Sequence, residues 1–320
     1  MIRAININKK PCNKKAFLRP WIPFPRARDA FAALIYALRV RKMGGRILLP
    51  AYIGWSPKEG SGVFDPVKKS GSAWAFYRLT PTLDIDLDDF AAKLNNGNTS
   101  VALIIHYFGF PAPSAAKAAS LAKAAGVLIV EDEAHALYSD WVGGVCGRNG
   151  DAVLYSFHKM LPVKMGGAIA FNPSFPSQIY KRLRMEAVLT NLPYNPTDWD
   201  GPAIAMARRR NASFLLSRLE SLKGAVIPLY ETIPTGAVPQ TLPVLVKNTD
   251  RNTLYKTMNA ERFGVVSLYH TLVHEIPEDV FPESYSISRS ILNLPTHQDV
   301  EETSLEAVIR ALNLHLRRRS

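Results

Sequence analysis

A carboxylate and a lysine follow two neighbouring apolar segments of the sequence, and together they could support amine chemistry. Asp132 lies in EDEAHAL, directly after the apolar run VLIV, and Lys159 lies in SFHKMLPVKMGGAIAF, after a second such run. Burial beside Met160 and Leu161 favours the uncharged form of Lys159, and a neutral amine attacks an aldehyde to form a Schiff base. Asp132 could bind a metal, act as a base, pair with a cationic ring nitrogen or cap a helix.

These groups are typical of a site for pyridoxal phosphate. That cofactor needs an amine, an acid facing its ring nitrogen, donors for its phosphate and a group packed against its ring. The acid keeps the ring nitrogen protonated, so that the ring can accept electrons from a broken Cα–H bond. A helix that begins after PRAR offers unpaired backbone N–H groups at Arg28 and Asp29, and Ser156 adds a hydroxyl. Tyr52 is the first candidate to pack on the ring, and Trp55 is the second.

The elements that must position these residues form an α/β pattern. A helix is predicted from Asp29 to Lys42, and PSAAKAASLAKAAG predicts another that Gly126 closes. Apolar runs on both sides of the second helix indicate parallel strands buried on both faces, with ligands beyond their carboxyl ends. The predicted strands are Arg46 to Pro50, Ala73 to Leu79, Val101 to Tyr107, Val127 to Val130, Ala152 to Phe157 and Gly167 to Phe171.

The sequence changes character after two segments rich in Pro, Asn and Asp, NPSFPSQ and PYNPTDWDGP, of which the second is interpreted as a loop or linker. Helices are predicted from about Ile204 to Leu222, in TDRNTLYKTMNAERFG and from Val300 to Leu316, and strands are predicted in TLPVLVK and VVSLYHTL. We therefore predict a large cofactor-binding domain over residues 1–200 and a smaller α+β C-terminal domain over residues 201–320.

Composition narrows the class of protein. A chain of 320 residues with 47% apolar content can bury a large core, and no segment is long and apolar enough for a signal peptide or a membrane span. We therefore expect a soluble cytoplasmic protein with no membrane partner. Cys12 and Cys146 are too few and too isolated for a disulfide framework or a zinc site, and no metal is predicted.

The formal charge of +12 suits an anionic partner. The basic residues are spread along the chain, apart from the runs Arg208 to Arg210 and Arg317 to Arg319, and no basic motif interleaved with aromatic residues occurs. A phosphorylated small molecule is therefore a better expectation than nucleic acid.

The order of motifs resembles one known family. The segments ARDAF, LLPAY, HYFG, EDEAHAL, YSFHKMLPVKMGGAI, LPVLVKN and LPTHQD follow one another as in the DegT/DnrJ/EryC1/StrS family of sugar aminotransferases, which has the fold-type-I aminotransferase fold. The similarity is strongest over residues 106–171 and 240–299. It implies that Asp132 faces the pyridine nitrogen, that His135 replaces the family's usual Gln near the ring hydroxyl, and that Ser156 binds the phosphate. Lys159 is then the Schiff-base lysine.

The sequence also departs from the family pattern. Lys159 lies three residues after Ser156 instead of five, so Lys164 is a competing candidate, although the distance from Lys159 to the glycine pair matches the family. Met165 replaces an acidic residue before that pair, a change that affects the expected substrate contacts and not the expected cofactor contacts. His106, Tyr269 and His270 are candidates to line the substrate cleft.

The resemblance implies a transaminase that moves an amino group from an amino acid, expected to be glutamate, to a ketosugar that is expected to be nucleotide-linked and to serve polysaccharide biosynthesis. It also implies a homodimer with active sites at the interface. Two alternatives remain open. A pyridoxal phosphate-dependent sugar dehydratase would replace the lysine by histidine, and His158 keeps this reading open. A non-enzymatic binding or regulatory protein on the same scaffold is the second alternative, and Met165 and the short chain favour it.

Overall fold

The computed structural model describes residues 19–95, 98–186, 192–222 and 224–317. Cys12 and the basic residues Arg318 and Arg319 lie outside these ranges. The strands are β1 (Trp21–Phe24), β2 (Arg46–Pro50), β3 (Trp74–Tyr77), β4 (Thr99–Ile105), β5 (Leu128–Asp132), β6 (Ala152–Ser156), β7 (Gly167–Phe171), β8 (Val226–Pro228), β9 (Thr241–Val246) and β10 (Ile291–Pro295). The helices are α1 (Ala27–Val40), α2 (Phe64–Ser70), α3 (Leu87–Asn95), α4 (Ala115–Ala124), α5 (Leu137–Trp141), α6 (Ser177–Glu186), α7 (Gly201–Leu219), α8 (Arg251–Ala260), α9 (Pro282–Ser290) and α10 (Glu302–Arg317).

The main sheet has seven strands in the order β1-β7-β6-β5-β4-β2-β3. The five strands from β3 to β6 in this order run parallel, whereas β7 and β1 are antiparallel to their neighbours. Every residue of β6 and β7 is buried, which explains why these strands are continuous apolar runs in the sequence. The predicted α/β class with a mostly parallel sheet is confirmed, and all six predicted strands are present.

Helix α1 begins where the main sheet presents the carboxyl end of β6. Its apolar positions, including Phe31 and Leu34, are buried against the core, as their helical spacing predicts. Gly167 allows the first turn of α1 to approach, because a Cβ atom at Gly167 would lie 2.3 Å from the Ala27 nitrogen. Gly167 pairs in turn with Ser156 across the β6–β7 ladder. This glycine therefore places the start of α1 beside the end of β6.

A second, smaller sheet follows α7, in the order β10-β9-β8, and it is antiparallel. The predicted strand in TLPVLVK corresponds to β9, and the predicted helices correspond to α7, α8 and α10. The side chain of Asp200 caps α7 by accepting the Ala203 N–H at 3.0 Å. This sheet makes the C-terminal part α+β in character, while the domain boundary at residue 201 stays a prediction.

One local prediction was wrong. VVSLYHTL does not form a strand, because Tyr269 has a left-handed φ of 58° and the segment makes only isolated bridges at Val266 and Leu272. The segment WIPF carries no prediction and forms strand β1, which tolerates Pro23 because β1 is at the edge of the sheet.

Within the described part of the chain, no helix combines the length and the apolar character that crossing a bilayer requires.

The contact at Gly167 gives a test of the fold. We expect Gly167→Ala to lower the free energy of unfolding by about 1–3 kcal/mol, because the new methyl group would overlap the backbone of Ala27. Gly62→Ala is the matched control, since its Cβ would meet only the Arg28 side chain at 3.8 Å. Urea unfolding of both variants measures the effect, and equal midpoints would contradict the close contact.

Candidate active site

The structure brings the predicted carboxylate and the predicted lysine to one edge of the main sheet. Strand β5 ends at Asp132 and the parallel neighbour β6 ends at Ser156, with Asp132 paired to Leu154. Lys159 ends a single 3-10 turn, Phe157–Lys159, that follows β6 directly. The Nζ atom of Lys159 lies 2.9 Å from Nε2 of His135. Four predicted residues therefore share this edge.

The Asp132 carboxylate is almost fully buried, at 7% exposure. Its Oδ1 atom accepts the Ala134 N–H at 2.8 Å. Burial raises the pKa of Asp132, whereas the Ala134 N–H and the nearby Lys159 and His106 lower it. A buried carboxylate in this setting is suited to a cationic partner, such as a protonated ring nitrogen.

The two candidate lysines lie in different surroundings. Burial lowers the pKa of Lys159, the carboxylates of Asp132 and Glu59 oppose this shift, and Arg28 adds to it. Lys164 is exposed to solvent. Of the two amines, only Lys159 contacts the residues around Asp132, and its environment favours the reactive neutral form.

His135 is held on both sides of its ring. Its Nδ1 atom accepts the backbone N–H of Phe108 at 3.3 Å, and its ring stacks on the Phe108 ring at 5.9 Å and 20°. Burial, followed by the positive charges of Lys159 and His158, lowers the pKa of His135 well below its usual value. The imidazole is therefore neutral at physiological pH.

An aromatic wall of Tyr52, Tyr107, Phe108 and Tyr269 surrounds His135. Tyr52 stacks on Tyr269 at 5.3 Å and 26°, and Tyr269 meets the His135 ring edge-on at 5.7 Å. Tyr52 is fully buried, and its hydroxyl has no hydrogen-bond partner among the described residues. A buried hydroxyl without a partner is costly, so this atom is available to a ligand. Trp55 packs against His274 instead.

The sequence interpretation missed Tyr107 and Phe108, although it considered His106 beside them. The available signal was a pair of aromatic residues immediately after a buried strand, at the carboxyl edge where ligands bind. The Tyr107 hydroxyl donates to the Tyr52 carbonyl at 2.7 Å, which fixes both parts of the wall.

The start of α1 also lies near Lys159. The backbone N–H groups that are free there differ from the predicted pair, Arg28 and Asp29. The Asp29 N–H already donates to the Arg26 carbonyl at 3.1 Å, and the Asp29 carboxylate pairs with Arg26 at 3.0 Å. Since the first N–H groups of a helix have no carbonyl within it, Ala27 and Arg28 are better donors than Asp29. The Arg28 guanidinium donates to the Glu59 carbonyl at 2.6 Å.

Ser156 lies on the same side of the site. Its Oγ atom is 3.3 Å from Nδ1 of His158. An amine, a buried carboxylate, a hydroxyl and a helix N-terminus thus meet at one edge, and the Tyr52 hydroxyl without a partner lies in the adjoining wall. These are the groups that pyridoxal phosphate requires, so the residues fit that cofactor.

The three residues expected to line the substrate cleft lie in different places. His106 is fully buried, with Nε2 at 2.7 Å from Glu131 and Nδ1 accepting the Ala112 N–H at 3.0 Å. Because both ring nitrogens are used inside the protein, His106 does not line a cleft. Tyr269 is part of the aromatic wall, whereas His270 is exposed and its Nδ1 donates to the Ser267 carbonyl at 2.5 Å.

A cluster of buried charges lies behind the site. The Asp140 carboxylate accepts two hydrogen bonds from Arg19, at 2.6 and 2.8 Å, and also pairs with Arg148 at 3.0 Å. Glu131 accepts the backbone N–H groups of residues 147, 149 and 150 at 3.0, 2.8 and 2.6 Å. Glu133 is fully buried, and neither of its oxygens has a hydrogen-bond partner among the described residues.

Ligand atoms of His106, Glu131 and Glu133 lie within 4.8 Å of one another, which is close enough to consider a metal ion. The hydrogen bonds oppose that interpretation. Since Nδ1 of His106 accepts the Ala112 N–H, the ring proton must be on Nε2, where it points at Glu131. A protonated Nε2 cannot bind a metal, so we interpret His106 and Glu131 as a hydrogen-bonded pair and not as metal ligands.

Glu133 should make folding stability depend on pH. Burial, followed by the nearby Asp140 and Glu131, raises the pKa of Glu133 well above its usual value. Its contribution to stability is therefore complete below the unfolded carboxyl pKa, about 4.3, and is lost as the pH rises towards the raised folded pKa. We expect Glu133→Gln to increase the free energy of unfolding by about 1–3 kcal/mol at pH 8 and by much less near pH 4.

Urea unfolding across this pH range measures the effect. The exposed Glu283→Gln is the control, and it should leave the pH profile unchanged. A Glu133→Gln variant that follows the parent protein at every pH would show that Glu133 ionises normally.

Three comparisons place the chain among known proteins. The model of the DegT/DnrJ/EryC1/StrS aminotransferase family matches residues 64–191. The chain is 23% identical over 296 residues to dTDP-4-dehydro-2,3,6-trideoxy-D-glucose 4-aminotransferase of Saccharopolyspora spinosa, covering 79% of this chain and 76% of that protein.

Solved structures share the fold. A DegT/DnrJ/EryC1/StrS aminotransferase from Brucella abortus superposes with a TM-score of 0.70 at 20% identity, covering 92% of this chain and 85% of that one. PseC of Helicobacter pylori, an aminotransferase of pseudoaminic acid biosynthesis, gives 0.76 at 14% identity, covering 93% and 87%.

The fold and the lysine beside a buried carboxylate define a pyridoxal phosphate-dependent enzyme of the aminotransferase class. The chain resembles the DegT/DnrJ/EryC1/StrS aminotransferase family, whose model matches it over residues 64–191.

Proposed function

We propose that this enzyme transfers an amino group from an amino acid, with glutamate as the donor, to a ketosugar that is linked to a nucleotide. The observation that carries the proposal is the position of the Lys159 amine, 2.9 Å from His135 and beside the buried Asp132, at the ends of two neighbouring parallel strands.

When bound, pyridoxal phosphate supplies an electron sink for the bonds around an amino-bearing carbon. Lys159 would hold the cofactor by a covalent bond through its amine, and Asp132 would keep a proton on the ring nitrogen. Once its amine is free again, Lys159 is the base that moves a proton at Nζ. Its surroundings suit that role, because burial favours the neutral amine that can accept a proton.

The phosphate would lie between the start of α1 and the end of β6. Backbone N–H groups of Ala27 and Arg28, the Ser156 hydroxyl and the positive end of the α1 dipole all favour an anion there. The contact through Gly167 brings these donors together. Tyr52 and the rest of the aromatic wall would pack near the ring.

The nucleotide-linked substrate is supported by charge near the site. A cavity of about 390 Å³ between α1 and α2 is lined by four basic side chains, among them Arg28, Arg39 and Lys69, and by the two carboxylates of Asp29 and Asp65. Arg28 belongs to both this cavity and the proposed phosphate site, so a diphosphate could extend from one to the other. The relative from Saccharopolyspora spinosa is named for a dTDP-linked substrate, which agrees with this proposal. The homodimer, the cytoplasmic location and a role in polysaccharide biosynthesis stay predictions of the sequence.

The dehydratase alternative is less well supported. It requires a histidine in place of the amine, and the candidate is His158. That side chain is exposed and contacts Ser156 at 3.3 Å, whereas Lys159 is half-buried and its amine faces His135.

The choice of lysine can be tested by absorbance. Full-length protein with added pyridoxal phosphate should show the yellow absorbance of that cofactor joined to a lysine. Lys159→Ala should lose the absorbance, and the matched Lys164→Ala should retain it, because only Lys159 lies in the site. Glutamate should bleach the parent protein as the amino group moves to the cofactor.

Retention of the absorbance in Lys159→Ala would transfer the role to Lys164. Failure of every form to turn yellow would contradict the proposed function.

The substrate can be tested with matched ketosugars. A nucleotide-linked ketosugar should be aminated, and the same sugar without its nucleotide should react poorly. Arg39→Met should raise KM for the nucleotide-linked sugar about 10- to 100-fold with little change in kcat, because a charged hydrogen bond to the substrate is lost. Arg310→Met, an exposed change on α10, is the control. Equal use of both sugars would exclude nucleotide recognition.

A further inference from the structure

The hydrogen bonds around His135 determine which ring nitrogen carries its proton. Nδ1 accepts the backbone N–H of Phe108 at 3.3 Å. A neutral imidazole whose Nδ1 accepts a hydrogen bond has its proton on Nε2. Nε2 lies 2.9 Å from Nζ of Lys159, so the Nε2–H group points at the lysine nitrogen. Only a neutral amine has a lone pair to accept that hydrogen bond.

We propose that His135 is a positioning residue that holds Lys159 as a neutral amine, by donating its Nε2–H to Nζ, whenever Lys159 carries a free amino group. The inference rests on the proposed function, because a neutral amine is what both attack on an aldehyde and acceptance of a proton require.

The backbone of Phe108 is fixed so that its N–H cannot turn away from His135. Phe108 has a left-handed φ of 57°, which is strained for a residue with a side chain. Its carbonyl accepts the Gln240 N–H at 2.7 Å. The next residue, Gly109, allows close packing, since a Cβ there would lie 2.3 Å from the Val238 carbonyl oxygen. Ser139 donates to the Gly109 carbonyl at 2.6 Å.

Charged groups from several elements face the Lys159–His135 pair. Some of them favour a positive charge on the pair and others oppose it. Asp132 from β5 and Glu59 from the segment before α2 favour a charged lysine. Arg28 from α1 opposes a positive charge on Lys159, and His158 opposes one on His135. Tyr269 approaches Asp132 from the opposite wall. Burial of both side chains also disfavours a positive charge on either one. The direction of the His135 hydrogen bond then selects the neutral amine of Lys159.

The reverse arrangement can be distinguished. If Lys159 were an ammonium group that donates to Nε2, the neutral His135 would carry its proton on Nδ1. That proton would point at the Phe108 N–H only 3.3 Å away, so two donors would face each other.

The first experiment reads the tautomer directly. Nitrogen-15 NMR of histidine side chains should be recorded on the full-length chain after its cofactor is removed with hydroxylamine, with His135→Gln used to assign the signals. We expect His135 to show an unprotonated Nδ1 and a protonated Nε2. Two other histidines serve as internal references. His106 should show the same tautomer and His270 the opposite one. A His135 pattern like that of His270 would overturn the proposal.

The second experiment measures the protonation of the Lys159 amine. Trace acetylation of the cofactor-free chain at a series of pH values, followed by peptide mass analysis, gives the pH of half-reaction of each lysine. We expect His135→Leu to raise this pH for Lys159 by about one unit, because the neutral amine loses its donor. A fall would show that Lys159 donates to His135, and no change would show that the contact does not matter. Either result would overturn the proposal.

Controls separate this inference from the proposed function. Lys164 in the same digest should not change, and His135→Gln should restore much of the effect because its amide can donate. The expected tautomer together with no yellow absorbance on adding pyridoxal phosphate would contradict the proposed function and leave this inference supported. The opposite tautomer together with normal absorbance would contradict this inference and leave the proposed function supported.

Discussion

The parallel pairing of β5 with β6 is the constraint on which the site depends. It places the ends of two buried strands side by side, and the chain leaves them at Asp132 and Ser156. The short turn after β6 then carries Lys159 back towards His135. Because both strands are buried on both faces, a shift in register would move apolar residues out of the core and would separate the carboxylate from the amine.

The alternation of side-chain directions along β5 gives three neighbouring carboxylates two different roles. Successive side chains in an extended strand point to opposite faces, so Asp132 points away from Glu131 and Glu133. Glu131 and Glu133 belong to the network that includes Arg19 and Asp140. The sequence Glu-Asp-Glu therefore serves two places at once. One carboxylate faces the proposed cofactor, and its two neighbours fix the opposite side of the strand.

Much of the sheet and the central site could be predicted from the sequence, because both depend on local patterns. Apolar runs gave the parallel strands, and the rule that ligands lie at their carboxyl ends gave Asp132, Ser156 and Lys159. The choice of Lys159 over Lys164 was open in the sequence, and the structure separates them because Lys159 is half-buried and contacts His135, whereas Lys164 is exposed. Long-range contacts were harder to predict from the sequence. The burial of His106 on Glu131 and the left-handed backbone of Phe108 and Tyr269 leave no local signal.

The pairing of Arg19 with Asp140 has a consequence for where the folded unit starts. Arg19 precedes the first strand, yet its guanidinium is buried and binds a carboxylate that is 121 positions away. A truncated form beginning at β1 would contain every strand and helix described here, but it would leave Asp140 with one cation fewer in a poorly hydrated interior. The minimal stable fragment therefore has to include Arg19, because its ion pair with Asp140 is needed although Arg19 lies outside the regular secondary structure.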